Sequence, residues 1–113
     1  MIKRLADQQT EIRSNPKGGT GDVGFRHILT QEAAEKVNLF SVITLLPGQS
    51  IGLHQHTDDA EAMYVLRGHP SIIDGTETFE LAPGDATYCT GGAQHSLFNP
   101  SAEPAQILAV VIK

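Results

Sequence analysis

The chain has 113 residues, 13 acidic against 8 basic side chains, 40% hydrophobic residues, five histidines and one cysteine. That length holds one domain with a modest core and no second. A net charge of -5 gives no basic footprint for nucleic acid or for an anionic membrane surface. The lone Cys89 cannot form an internal disulfide, which fits a cytoplasmic protein. The longest apolar stretches, such as Ile107–Ile112, fall far short of the roughly 20 residues that a spanning helix needs. The polar N-terminus also lacks the apolar region of a signal peptide.

In chain order, residues 1–24 are polar and Gly-rich and read as an N-terminal arm or edge strand followed by a loop, ahead of a single domain over residues 25–113. Gly19-Thr20-Gly21-Asp22-Val23-Gly24 satisfies the dinucleotide fingerprint in form. No strand is predicted before it and the chain has no βαβ pattern, so it reads as loop. Thr30–Val37 is the one helical segment, with Thr30 placed to cap and Glu32-Ala33-Ala34-Glu35-Lys36 favouring helix. Beyond it, glycines and prolines punctuate short runs rich in Val, Ile, Leu, Tyr, Phe and Thr. These predict strands at Leu39–Leu46, Ile51–His56, Ala62–Arg67, Pro70–Ile73, Glu77–Leu81, Ala86–Thr90, His95–Asn99 and Ala105–Ile112. Asp74-Gly75 predicts a hairpin turn between two of them. On the first of these strands Phe40, Val42, Thr44 and Leu46 share one face and Leu39, Ser41, Ile43 and Leu45 the other. Alternation alone leaves open which face is inside. The pattern is all-β, and packed antiparallel sheets or a closed barrel are its usual solution.

The chemistry lies in residues 48–68. His54 and His56 are two apart, so on a strand their imidazoles share a face. Thr57-Asp58-Asp59-Ala60 is turn-compatible, which lets the chain reverse and bring the Glu61 carboxylate beside them. His95, at the start of another strand after Gly91-Gly92, is the natural fourth ligand. Imidazoles with a carboxylate are a ligand set for a divalent transition metal with positions left open.

This segment resembles the first motif of the cupins: Gly48, five residues, His54-x-His56, four residues, Glu61, six residues, Gly68. The second cupin motif is matched by Gly84, Gly92, His95 and Asn99 at the family spacing, with Thr90 standing where Pro is usual at a turn. Fifteen residues separate Gly68 from Gly84, similar to the spacing in small single-domain bacterial cupins of the oxalate decarboxylase-like and sugar-phosphate isomerase-like kinds. The resemblance implies a double-stranded β-helix, or jelly roll, with at most a short peripheral helix. It also implies that His54, His56, Glu61 and His95 are the metal ligands. An oxygen and nitrogen donor set with open positions suits Mn or Fe, with Ni, Zn and Cu as alternatives.

Other residues read more plainly. His27 and His69 are expected at the surface or a strand edge, and Cys89 as a buried, unreactive thiol. Gln55 points away from the ligands, and Met63 shares the inward face of Glu61. Arg67 has the parity to meet an anion but reads as a solvated strand end. Asp58 and Asp59 are the only acids next to the site in sequence and resemble turn residues. The expected function is that of a metal-dependent enzyme acting on a small carboxylate or sugar-like molecule held in the barrel. The alternative is a non-catalytic binding or sensing cupin. No catalytic residue beyond the ligands is assigned. Residues 1–13, with Ile2, Leu5 and Ile12 spaced to pack, predict a homodimer.

Overall fold

The structure, a computed structural model, describes residues 1–113. Ten strands form: β1 (Gln9–Ser14), β2 (Asp22–His27), β3 (Val37–Leu45), β4 (Ser50–His56), β5 (Ala60–Arg67), β6 (Ser71–Asp74), β7 (Glu77–Glu80), β8 (Ala86–Cys89), β9 (Ala93–Phe98) and β10 (Ala105–Ile112). They make a six-stranded sheet of order β1-β2-β3-β10-β5-β8 and a four-stranded sheet of order β4-β9-β6-β7. Every pairing is antiparallel. This is the expected all-β jelly roll. No helix is long and apolar enough to cross a membrane.

Inward-facing residues of both sheets meet in one core of Val23, Phe25, Ile43, Leu45, Ile51, Met63, Ile72, Leu97, Ala105, Ile107 and Ala109. The odd-numbered face of β3 is therefore the inner one. Val42, on the opposite face, is also buried, at 6% exposure. It lies beside Leu108 of β10 in register, and Leu108 in turn lies beside Tyr64 of β5. The expected hairpin forms as β6 and β7, closed through Gly75, whose φ of 65° suits glycine.

Two expectations fail. The segment Thr30–Val37 is not an α-helix: only a 3-10 turn over Gln31–Ala33 forms, and strand β3 already begins at Val37. The segment is too short to repay helix nucleation without an apolar stripe to bury, and all three turn residues lie outside the core. The stretch 19–24 is not all loop, because β2 starts at Asp22 and pairs with β1 on one side and β3 on the other. Val23 and Phe25 alternate inward here, a period too short to stand out among glycines.

Before β2 the chain makes a tight turn over Pro16–Gly18 that docks against β4. Thr20 and Ser50 exchange backbone hydrogen bonds. A Cβ on Gly19 would lie 2.2 Å from the Ser50 carbonyl oxygen, and one on Gly52 would lie 2.1 Å from that of Lys17. Two glycines are thus what lets these backbones touch.

Candidate metal centre

Three strands carry the site. Ile51 of β4 faces the core, and His54, three residues on, would face outward on a regular strand. The β4–β9 register shifts between them, with Ile51 opposite Leu97 and His54 opposite His95. That one-residue bulge turns both imidazoles inward and leaves Leu53 outside at 52% exposure. His56 follows on the same face. The turn at residues 57–59 then hands the chain to β5, where Glu61 faces inward with Met63 and Val65, all buried.

The sequence-predicted ligands His54, His56, Glu61 and His95 come together, with one ligand atom from each lying within 4.8 Å of the others. The Nε2 atoms of His54 and His95 are 3.1 Å apart. Glu61 Oε1 is 2.9 Å from His95 Nε2, 3.3 Å from His56 Nε2 and 3.8 Å from His54 Nε2. The three rings meet edge-on, with centroids 4.6 to 5.0 Å apart.

The tautomers point the same way. His54 Nδ1 donates to the Gly52 carbonyl at 2.7 Å, inside the bulge. His56 Nδ1 donates to Asp59 Oδ1 at 2.7 Å. With Nδ1 occupied, each neutral ring presents its Nε2 lone pair to the cluster. His56 Nε2 is buried without a hydrogen-bond partner. Lone pairs converging at these distances repel unless a proton or cation lies among them. Neighbouring ligands on a metal with bonds of about 2.1 Å sit about 3 Å apart, close to most of the separations here. The donor set therefore fits a divalent cation.

Charge is already organised around the cluster. Burial raises the Glu61 pKa, but hydrogen bonds to His54 and His95 and the nearby charges of His95 and His56 outweigh it and hold the carboxyl at about 2. For His54, burial works against protonation, yet the Glu61 carboxylate and the Gly52 carbonyl raise the pKa above 6.5 while the Lys17 charge opposes them.

Asp59 is more than a turn residue, since it orients His56. Its own backbone carbonyl accepts a hydrogen bond from the Thr90 hydroxyl at 3.1 Å. Thr90, where the cupin pattern has Pro, thus ties the turn before β9 to the ligand-bearing turn. The spacing of Asp59 three residues after His56 is the sequence signal for this role. Asn99 is fully buried, and its amide nitrogen bonds the carbonyls of Leu45 and Glu103, a purely structural role.

The cluster lies in the wall of a cavity of about 450 Å³ whose apolar side includes Phe25, Ile43, Ile51, Met63 and Leu97. Met63 lines it as expected, and Arg67 does not. Sequence reasoning missed Arg13 and Lys17, which line the same cavity from a segment read as arm and loop. Gln55 points away and bonds the Gly92 carbonyl. Cys89 is buried, and burial pushes its thiol pKa up. His69 is exposed. His27, the last residue of β2, is half-buried and bridges Ser41 Oγ at 2.6 Å and Glu11 Oε1 at 2.8 Å.

Comparison with known proteins agrees with this fold. The cupin domain family profile matches residues 41–111. A curated Thermotoga maritima protein called oxalate-binding protein is 34% identical over 113 residues, covering 99% of this chain and 93% of its own. A crystal structure of a predicted oxalate decarboxylase from Thermotoga maritima superposes with a TM-score of 0.92 at 34% identity, over 99% of this chain and 98% of that one. A sugar phosphate isomerase from Silicibacter pomeroyi shares the fold, with a TM-score of 0.79 at 18% identity over 100% of this chain and 76% of its own.

Proposed function

The chain belongs to the cupin domain family, and from that premise we propose that it is a metal-dependent cupin enzyme acting on a small carboxylate or sugar-like molecule, with His54, His56, Glu61 and His95 as the metal ligands. The observation that carries this reading is the convergence of three imidazole nitrogens and one carboxylate oxygen in the wall of a cavity large enough for a small organic ligand. Mn²⁺ or Fe²⁺ suits the donor set best, with Ni, Zn and Cu as alternatives. Once bound, the metal supplies a Lewis acid for a carbonyl or carboxylate, or a centre for O₂ chemistry if it is redox-active. The chain's own contribution is to hold the ligand rings through Gly52 and Asp59 and to wall the ligand with apolar side chains. The name of the Thermotoga relative favours a small dicarboxylate over a sugar.

A non-catalytic binding or sensing role is the second reading, and one observation favours it. The carboxylates lining the cavity are Asp59 and Glu61, the first engaged with His56 and the second in the cluster. Asp58 is exposed and does not line the cavity. No free acid stands beside the ligands for proton transfer.

Elemental analysis of protein purified without an affinity metal, repeated on His54→Ala and Glu61→Ala, tests the site. About one metal per chain is expected, falling strongly in both variants. Low metal content that the substitutions leave unchanged overturns the reading. Turnover of small carboxylates by the Mn²⁺- or Fe²⁺-loaded protein then separates enzyme from binder.

Cytoplasmic residence belongs to the same reading, supported by a lone, buried, free thiol at Cys89. So does a homodimer. β1 is an edge strand with every residue exposed, Ile12 among them, and Met1, Ile2 and Leu5 are exposed apolar side chains that precede it. An edge of this kind offers unpaired backbone groups to a second copy.

A further inference from the structure

We propose that Arg13 and Lys17, which the N-terminal segment places on the cavity that holds the ligand cluster, form a cationic clamp that selects a small organic dianion for this site. The proposal rests on the metal-centre reading above and adds to it the charge of the ligand and the residues that recognise it.

Arg13 lies on the inner face of β1. It pairs in register with Val23, which has no exposure, as Glu11 pairs with Phe25. Its guanidinium sits 4.5 Å from the Phe25 ring centroid, and its Nε donates to Glu11 Oε1 at 3.0 Å. Glu11, held in turn by His27, is not among the residues that line the cavity. The guanidinium, 42% exposed, is thus engaged at its Nε and its face, while its terminal nitrogens make no hydrogen bond to the protein. That edge is the one that grips a carboxylate with two parallel hydrogen bonds.

Lys17 is the second cation on the cavity, and none of the chain's ion pairs includes it. Its backbone is held at φ 54°, in the left-handed region, as is that of Asn15 at φ 48°. Such conformations are unfavourable for residues other than glycine and persist where their surroundings hold them. Here Asn15 Oδ1 accepts the Gly21 N–H at 2.9 Å, Pro16 is buried, and the Lys17 carbonyl is pressed against Gly52. The contact at Gly52 fixes Lys17 to the same bulge that aims His54.

The placement of charge points to the ligand. Arg13, partly offset by Glu11, and Lys17 bring positive charge to a cavity whose cluster would hold a divalent cation. A dicarboxylate would meet a cation at each end, one at the metal and one at the clamp, with its carbon skeleton along the apolar wall.

Calorimetric titration tests this with dianions of increasing length (oxalate, malonate and succinate), each against its uncharged-end monoamide. It is run on Mn²⁺-loaded and metal-free wild type, Arg13→Gln and Lys17→Asn. Asparagine tolerates the left-handed backbone, so the second variant removes charge without adding strain. The wild type is expected to prefer its best dianion over the matching monoamide by about tenfold or more. That preference is expected to fall to about threefold or less in each variant, with metal content and thermal midpoint retained. A merely structural defect weakens both ligands equally and leaves the ratio unchanged. An unchanged ratio in both variants, or a wild type without preference for dianions, overturns the clamp. Loss of metal in wild type is a failure of the metal-centre reading instead. The metal-free titration then decides the clamp alone, because residual dianion preference must still fall in the variants.

Discussion

Glu61 and His54 pull stability in opposite directions as pH changes, and a bound metal would reverse one of them. The Glu61 carboxyl, held at about 2, contributes stability that is complete above its unfolded value and is lost as pH falls from about 4.5 toward 2. His54, raised above 6.5, contributes stability that is complete below that value and is lost as pH rises through its folded pKa. The cluster of the metal-free protein is thus best balanced between about pH 4.5 and 6.5. A divalent cation needs the neutral imidazole, so its binding strengthens above that window. Thermal denaturation from about pH 5 to about pH 8, with and without Mn²⁺, is expected to show a stabilisation by metal that grows with pH. A shift that shrinks on going alkaline contradicts the assignment of His54 as a ligand. At this scale the sequence was legible, because three donors fall in one motif and the fourth in a second, each with its own fixed spacing. Arg13 and Lys17 were not. Their relevance comes from a pairing of β1 with β2 and a backbone contact with Gly52 that no local pattern announces.

At the scale of elements, the strands from β3 onward follow the alternation of the sequence to within two residues at either end. The bulge in β4 is the exception. Ile51 and His54 differ by an odd number of residues yet both face inward, and only the pairing with β9 shows it. The expected edge strand in residues 1–24 is β1, but β2 escaped notice because its glycine and polar residues dilute the period of two. The helix expected after Thr30 rested on propensity alone, which tertiary context overrides. Gly52→Ala tests the docking of the N-terminal turn. The added Cβ meets the Lys17 carbonyl oxygen at 2.1 Å, against backbone that cannot step aside. A loss of about 2 kcal/mol or more in chemical denaturation is expected, with faster proteolysis before residue 19. Wild-type stability in this variant overturns the tight docking.

At the scale of the whole molecule, the centre of the six-stranded sheet, formed by β3, β10 and β5, is apolar on both faces. Phe40, Val42, Ala62, Tyr64, Leu108 and Val110 share the outer face by register, opposite Ile43, Ile107 and Met63 of the core. A sheet with one solvated face ordinarily alternates apolar with polar. Together with the exposed β1 edge, this supports the pairing of two copies. Light scattering at micromolar concentration is expected to return about twice the 12.1 kDa chain mass, and a monomer mass removes the dimer. The strand pattern placed the chain among small all-β domains but could not show this, because alternation reads one strand at a time and the outer face exists only across three.

The pairing of His54 with His95 carries a consequence for how the fold is reached. The two residues are far apart in the chain and are brought opposite each other only by the correct alignment of β4 and β9, bulge included. A slip of either strand by one residue turns one imidazole to the outside and dismantles the ligand set. An ion held by both would therefore reward only the native alignment of two strands distant in sequence. The cation of the proposed centre would then act as a proofreader of the chain's own topology.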